Sequence, residues 1–192
     1  MIPTLIVIPT LIVIAVLVIL ALFVITGFNK LRKADIAAQE ALGGIDVQLT
    51  RRADLIPNLV ETVKGYAAHE RGVFDEVTQA RAAAAGAARG NDVAAKAAAE
   101  QQLDQALVRV MAVAENYPEL KASANFESLQ TQLADTENQL SFARQYYNDA
   151  VAKLNGLVRT IPWMLMTGMA GVKEREFYEA PEGNVAPPTV SF

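Results

Sequence analysis

Apolar and polar positions change their pattern twice along the chain. Up to residue 29 there is no period. These residues include no Asp, Glu, Lys or Arg, and Leu5 to Phe28 is a 24-residue run of Leu, Ile, Val, Ala and Phe broken only at Pro9, Thr10, Thr26 and Gly27. A helix needs about 20 apolar residues to cross a hydrocarbon layer of about 30 Å, so this run can span with some tilt. A helix that is apolar on every face needs an apolar surround, which the core of one small domain does not provide. The expectation is a transmembrane anchor over residues 1–29, with Leu11, Ile14, Leu17, Leu20 and Phe23 among its lipid-facing side chains. A cleavable export signal would have a basic start, an apolar stretch of about 7–15 residues and a small-x-small site. Here no basic side chain comes first, the run is longer, and Thr26 to Lys30 offers no such site, so a retained anchor is expected. Ile2-Pro3-Thr4-Leu5-Ile6-Val7 repeats as Ile8-Pro9-Thr10-Leu11-Ile12-Val13. Its prolines suit first helical turns, which predicts regular helix from about Thr10.

From residue 30 the period becomes that of a helix, and nothing alternates with period 2. Leu31, Ala34, Ala38, Leu42, Ile45 and Leu49 form one stripe that continues from the span. Leu55, Leu59, Val63 and Tyr66, then Val73, Val77, Ala80 and Ala84, carry it on. Between them Pro57 lacks an N–H and clashes with the carbonyl four residues back, which predicts a kink or restart there and hence a bent pair of helices. Between residues 80 and 99, twelve of twenty positions are Ala. Either two helix ends meet at a turn near Gly86 to Asp92 or this is a loop. Asn91 or Asp92 can cap a helix carrying Leu103, Leu107, Val110, Ala114 and Tyr117, stopped by Pro118. The longest stripe runs from Phe126 through Leu129, Leu133, Thr136, Leu140, Ala143, Tyr147, Ala150, Leu154 and Leu157 to Ile161, five heptads with small residues among the large. That mixture suits a closely packed bundle better than a two-stranded zipper.

After Pro162 the pattern changes again, to Trp163-Met164-Leu165-Met166-Thr167-Gly168-Met169-Ala170-Gly171-Val172 and then a Pro-bearing end. The whole chain thus reads as all-α: one transmembrane helix, an antiparallel bundle of long helices over 30–161, and a Met/Trp-containing amphipathic segment with an extended tail over 162–192. Lys30, Arg32 and Lys33 follow the span directly, and by the positive-inside rule the helical domain is cytoplasmic and the N-terminus outside.

Composition narrows the chemistry. Apolar residues make up 52% of the chain, and mean hydropathy is +0.20, an excess that the first 29 residues account for. There is no Cys and one His, His69, so thiolate sites and multi-imidazole sites are excluded. A pI of about 5.1 speaks against binding nucleic acid through excess positive charge. Di-metal bundles use Glu-x-x-His, but Tyr66 stands three positions before His69. No phosphate loop, nucleophile elbow or His-Glu-x-x-His occurs. Asp135/Glu137 and Asp75/Glu76 point to different helix faces and read as solvated surface. The expectation is a non-enzyme with no cofactor, metal or small-molecule substrate.

Two blocks resemble those of a known family. Ile45-Asp46-Val47-Gln48-Leu49, Arg51-Arg52 and the run Asp54 to Glu70 form the first. Glu137-Asn138-Gln139-Leu140 with Ala143-Arg144-Gln145-Tyr146-Tyr147-Asn148-Asp149-Ala150-Val151 forms the second, and Ala186-Pro187-Pro188-Thr189-Val190-Ser191-Phe192 ends the chain. In this order they resemble the bacterial LemA family, except that Leu42-Gly43-Gly44 stands where that family more often has Trp and polar residues. The resemblance implies a protein of the bacterial inner membrane with a single N-terminal membrane helix and an antiparallel helical domain, and little about activity.

Three groups of residues are the candidate sites. Around Pro57, Arg51/Asp54 and Glu61/Lys64 have the i,i+3 spacing of surface ion pairs. Alternatively Arg52, Asp54, Asn58 and Glu61 surround a proline-freed carbonyl and bond across to Asn138, Arg144 or Asn148, setting register. Trp163, Met164, Met166 and Met169 suit an interfacial membrane contact, a groove in a partner, or a cover over the bundle end. Val190 and Phe192 end an extended tail of the form that strand-adding peptide binders accept. The function expected is a membrane-anchored helical scaffold that self-associates into a homo-oligomer. The other reading is a monomeric adaptor that recruits a protein through its tail.

Overall fold

The computed structural model describes residues 2–179, with side-chain surroundings from residue 7 onward. The tail residues Val190 and Phe192 lie outside the described residues. Among the described residues the chain is all-α: α1 spans Ile2–Lys64, α2 Arg71–Ala87, α3 Val93–Glu115, α4 Pro118–Lys121 and α5 Ala124–Arg159. A 3-10 turn, Trp163–Met166, and α6, Thr167–Ala170, follow. Two compact units share these helices: Met1–Glu40 with Asp149–Arg175, and Ala41–Asn148 with Glu176–Phe192.

In the first unit α1 begins at Ile2 rather than near Thr10, so the Ile-Pro-Thr repeat is helical. The side chains from Val7 to Thr26 are exposed, and this is a helix long and apolar enough to cross a membrane. Burial starts at Gly27 and then follows the expected stripe through Leu31, Ala34 and Ala38. Val151 and Leu154 of α5, with Met166, Ala170 and Val172 after it, are buried in the same unit. The extended chain after α6 is held by side chains. The Asn155 amide N–H donates to the Arg175 carbonyl (2.9 Å) and its oxygen accepts from the Arg175 N–H (3.0 Å). The Arg175 guanidinium donates to Asp35 (3.0 Å) and Gln39 (3.0 Å) on α1.

In the second unit the core joins five helices, with Leu120 contributed by α4. Ile56, Leu59 and Val63 of α1 meet Phe74 and Val77 of α2, Leu103, Leu107 and Val110 of α3, and Phe126, Leu129 and Leu133 of α5. Asp92 caps α3 by accepting from the Ala95 N–H (3.0 Å), as its sequence position suggests. Pro118 stops α3 and opens α4 at its first turn. The alanines between 80 and 99 divide into the end of α2, a five-residue connection over 88–92, and the start of α3.

The predicted restart at Pro57 does not occur. α1 continues through it to Lys64, and the chain turns at residues 65–70 instead. The carbonyl deprived of its donor is that of Ala53, and the Arg81 Nε–H of α2 supplies the missing bond at 3.0 Å. The helix runs on unbroken, with a neighbour replacing the absent N–H. Arg81→Met should therefore destabilise the full chain by about 1–3 kcal/mol, the cost of an unsatisfied carbonyl. In a Pro57→Ala background, where residue 57 again donates, most of that cost should vanish. Urea unfolding of the four variants checks this, and an equal cost in both backgrounds would contradict it.

Candidate functional site

The second unit contains charges where its core should be apolar. On α3, Lys96, Glu100 and Asp104 follow one another at four-residue spacing on a single face, and Lys96 and Glu100 are fully buried. On α1, Arg52 occupies a position of the apolar stripe between Leu49 and Ile56 and is buried. Burying such groups is costly unless each is paired.

They are paired in an alternating chain. Arg52 reaches Asp104 (2.5 Å) with one nitrogen and Glu137 of α5 (2.8 Å) with another. The other oxygen of Glu137 accepts from Arg144 (2.8 Å), whose second nitrogen donates to Glu100 (2.6 Å). The remaining oxygen of Glu100 accepts from the Tyr178 hydroxyl at 2.6 Å. The order is acid, arginine, acid, arginine, acid, phenol, drawn from α1, α3, α5 and the extended chain. Lys96 closes a separate set: it pairs with Asp46 of α1 and donates to the last carbonyl of α2, Ala87 (3.0 Å), and to that of the capping residue Ala88 (3.2 Å). A cation there matches the negative end of the helix dipole.

Tyr178 is placed by its backbone. The Asn148 oxygen accepts from the Tyr178 N–H (2.8 Å) and its amide N–H donates to the Tyr178 carbonyl (3.0 Å). The Tyr147 hydroxyl donates to the Glu176 carbonyl (2.9 Å). Burial pushes the Glu100 carboxyl above its ordinary value, against the opposing effects of the Tyr178 hydrogen bond and Arg144. Burial raises Asp104 in the same way, with Arg52 opposing. The Tyr178 hydroxyl is pushed up by burial and by the bond to Glu100, so it stays protonated and is the donor in that bond.

The arrangement pairs its charges internally, although the buried Arg52 Nε–H finds no acceptor, and such pairing suits holding helices rather than performing chemistry. Among the described residues no group of three or more His, Cys, Asp or Glu is placed to hold a metal ion.

Of the residues expected around Pro57, Arg52 and Arg144 do come together, on the shared carboxylate of Glu137. The rest of that expectation is corrected. Asp54, Asn58, Glu61 and Asn138 are exposed, and Asn148 holds the extended chain. Arg51 donates to Gln139 (3.3 Å), and the proline-freed carbonyl goes to Arg81. Glu137, read as solvated surface, is a bridge. Lys96, Glu100, Asp104 and Tyr178 were missed, although Lys96, Glu100, Leu103, Leu107 and Val110 continue one stripe at spacings of 3 and 4.

In the first unit the end segment folds against α1. The Trp163 ring stacks on Phe23, with centroids 5.9 Å apart at 20°. The Lys30 ammonium lies 4.4 Å from the Trp163 ring centroid. A Cβ on Gly27 would come 2.3 Å from the Met166 sulfur, so glycine is what lets this loop approach. Met166 is buried, while Met164 and Met169 are exposed.

A sequence model of the LemA family matches residues 41–192. The chain is also similar to the magnetosome protein MamQ of Magnetospirillum gryphiswaldense, with 26% identity over 173 residues that cover 77% of this chain and 63% of that protein. Magnetosome protein MamQ 2 of Paramagnetospirillum magneticum is 26% identical over 165 residues, covering 72% of this chain and 60% of its own length. The chain thus spans under two thirds of the length of these curated relatives. None of these names is that of an enzyme.

The raised carboxyls fix a sign for the pH dependence. A buried acid whose folded pKa exceeds its unfolded one takes up protons on folding, so stability falls as pH rises from the ordinary value of 4.5 through the raised value of Glu100. Glu100→Gln should flatten that part of the curve. Tyr178→Phe removes a contact that favours the charged form, so its cost should be small while Glu100 stays protonated and grow as pH rises through the raised value of Glu100, to about 1–3 kcal/mol. Denaturant midpoints across an acid-to-neutral pH series check both, and a Tyr178→Phe cost independent of pH would contradict the assignment.

Proposed function

The chain belongs to the LemA family, and from that premise we propose that it is a non-enzymatic, single-pass membrane-anchored helical scaffold whose copies associate through α5. The anchor is the apolar part of α1. Lys30, Arg32 and Lys33 after it favour a cytoplasmic helical domain at the bacterial inner membrane.

The observation that carries self-association is the outer face of α5. Between Asp135 and Asp149 the exposed side chains of that helix are Asn138, Gln139, Ser141, Phe142, Gln145 and Tyr146, and none is charged. Phe142 is 72% exposed and Tyr146, one turn later, 65%. The charges of this stretch, Glu137 and Arg144, are engaged in the ladder. The exposed residues of α5 bring no charge to this face, where Arg51 of α1 reaches Gln139, and aromatic pairs are typical anchors of such contacts. Anchoring supports the same reading, since a shared membrane concentrates copies with like orientation and raises their effective concentration.

Because the chain has no Cys, Gln145→Cys introduces a single thiol beside the aromatic pair without removing it. Oxidation in native membranes should yield a covalent dimer, and adding Phe142→Ala and Tyr146→Ala should lower the yield several-fold. Monomer only, or a yield indifferent to the aromatics, would contradict this interface. The adaptor reading depends on residues 182–192, and their deletion would then remove a bound partner while leaving particle size unchanged.

A further inference from the structure

From Thr160 to Val172 the chain carries no charge, and Arg159 and Lys173 flank it. Its inward side is accounted for by Trp163 on Phe23 and Met166 on Gly27. Its outward side is apolar and uncovered: Ile161 and Leu165 are each 75% exposed, Met169 57% and Met164 44%. For a short loop in water this is a poor arrangement, since each large apolar side chain left exposed forfeits the gain of burial.

The position along α1 identifies what covers it. Phe23 and Gly27 belong to the uncharged run of residues 1–29, and Lys30 is the first cation after it. The loop therefore sits against the last turns of the apolar segment, at the level where that segment leaves hydrocarbon for headgroups. Trp163 with Lys30 over its ring is the combination of aromatic and cation that collects at that boundary. Apolar residues outward, a tryptophan at the boundary with Lys30 over its ring, and flanks of Lys173 and a Glu174-paired Arg159 together match an interfacial segment.

We propose that residues 160–172 are a second membrane contact, with Ile161, Met164, Leu165 and Met169 seated in the headgroup–acyl boundary of the leaflet from which α1 emerges. The occupant is lipid. The contact rests on the reading of α1 as a span, and it turns a one-helix anchor into a two-point attachment that restrains rotation of α1 about its axis.

The absence of Cys allows single spin labels on the full chain, reconstituted in phosphatidylcholine–phosphatidylglycerol vesicles. Three positions serve: Leu165→Cys in the loop, Leu17→Cys in the apolar run, and Gln105→Cys on the exposed face of α3. Dissolved oxygen concentrates in lipid and a nickel chelate in water. The oxygen-to-nickel accessibility ratio at Leu165→Cys should resemble that at Leu17→Cys and stand several-fold above that at Gln105→Cys. A water-like ratio at Leu165→Cys with a lipid-like one at Leu17→Cys would overturn the contact and leave the anchor standing. Shielding of Leu165→Cys from both reagents would overturn it in favour of a protein cover. A water-like ratio at Leu17→Cys would remove the anchor and this contact with it.

Discussion

Two arginines and three carboxylates are packed where α1, α3 and α5 meet, and each is costly to hold there unless it finds its partner. Glu137 is the central member, giving one oxygen to Arg52 and the other to Arg144. Fully buried Glu100 then accepts from Arg144 and Tyr178 together. A slip of one helix by a turn would leave at least one charge buried without its partner, a loss of several kcal/mol that apolar packing alone would not impose. The alanines of α2 and α3 are compatible with many offsets, because small side chains interdigitate weakly. In such a bundle the charges select the offset that the alanines do not.

The same logic governs the extended chain after α6. It makes no sheet, so its backbone groups need partners from side chains. Asn155 serves Arg175 within the first unit, and Asn148 serves Tyr178 within the second, each amide matching one N–H and one C=O. Asparagine suits this because its side chain carries the donor and acceptor of a peptide group. Tyr178 then brings a hydroxyl to Glu100, which joins the end of the described chain to the ladder.

Much of this architecture is legible in the sequence. The uncharged run to residue 29, the stripe from Leu31 to Leu49, and the α5 stripe through Phe126, Leu133, Leu140, Tyr147 and Leu154 all appear as helix faces, and these side chains from Leu31 onward are buried. The stripe overreaches at Ile161, which lies past the end of α5 and is exposed. The ladder was hidden because charges at four-residue spacing usually mark a solvated face, and the alanines around Lys96 and Glu100 blurred which face was apolar. The readable signal was position: Arg52 and Glu100 sit in the stripe, where a charge is either paired or absent. The continuity of α1 through Pro57 was not readable, because the donor that repairs it, Arg81, lies 28 residues away on another helix. The end segment offered three readings by composition alone, and its contacts with Phe23, Gly27 and Lys30 tie it to the membrane end of α1.

The central claim is that paired buried charges, and not apolar packing alone, hold α3 against α5. A double-mutant cycle on Arg144→Met and Glu100→Met, read by denaturant unfolding of the full chain, tests it most directly. Arg144→Met alone leaves a buried carboxylate without its cation and should cost about 3–5 kcal/mol. The two changes together should cost less than their sum by more than about 1 kcal/mol. Costs that add to within about 0.5 kcal/mol would contradict the account.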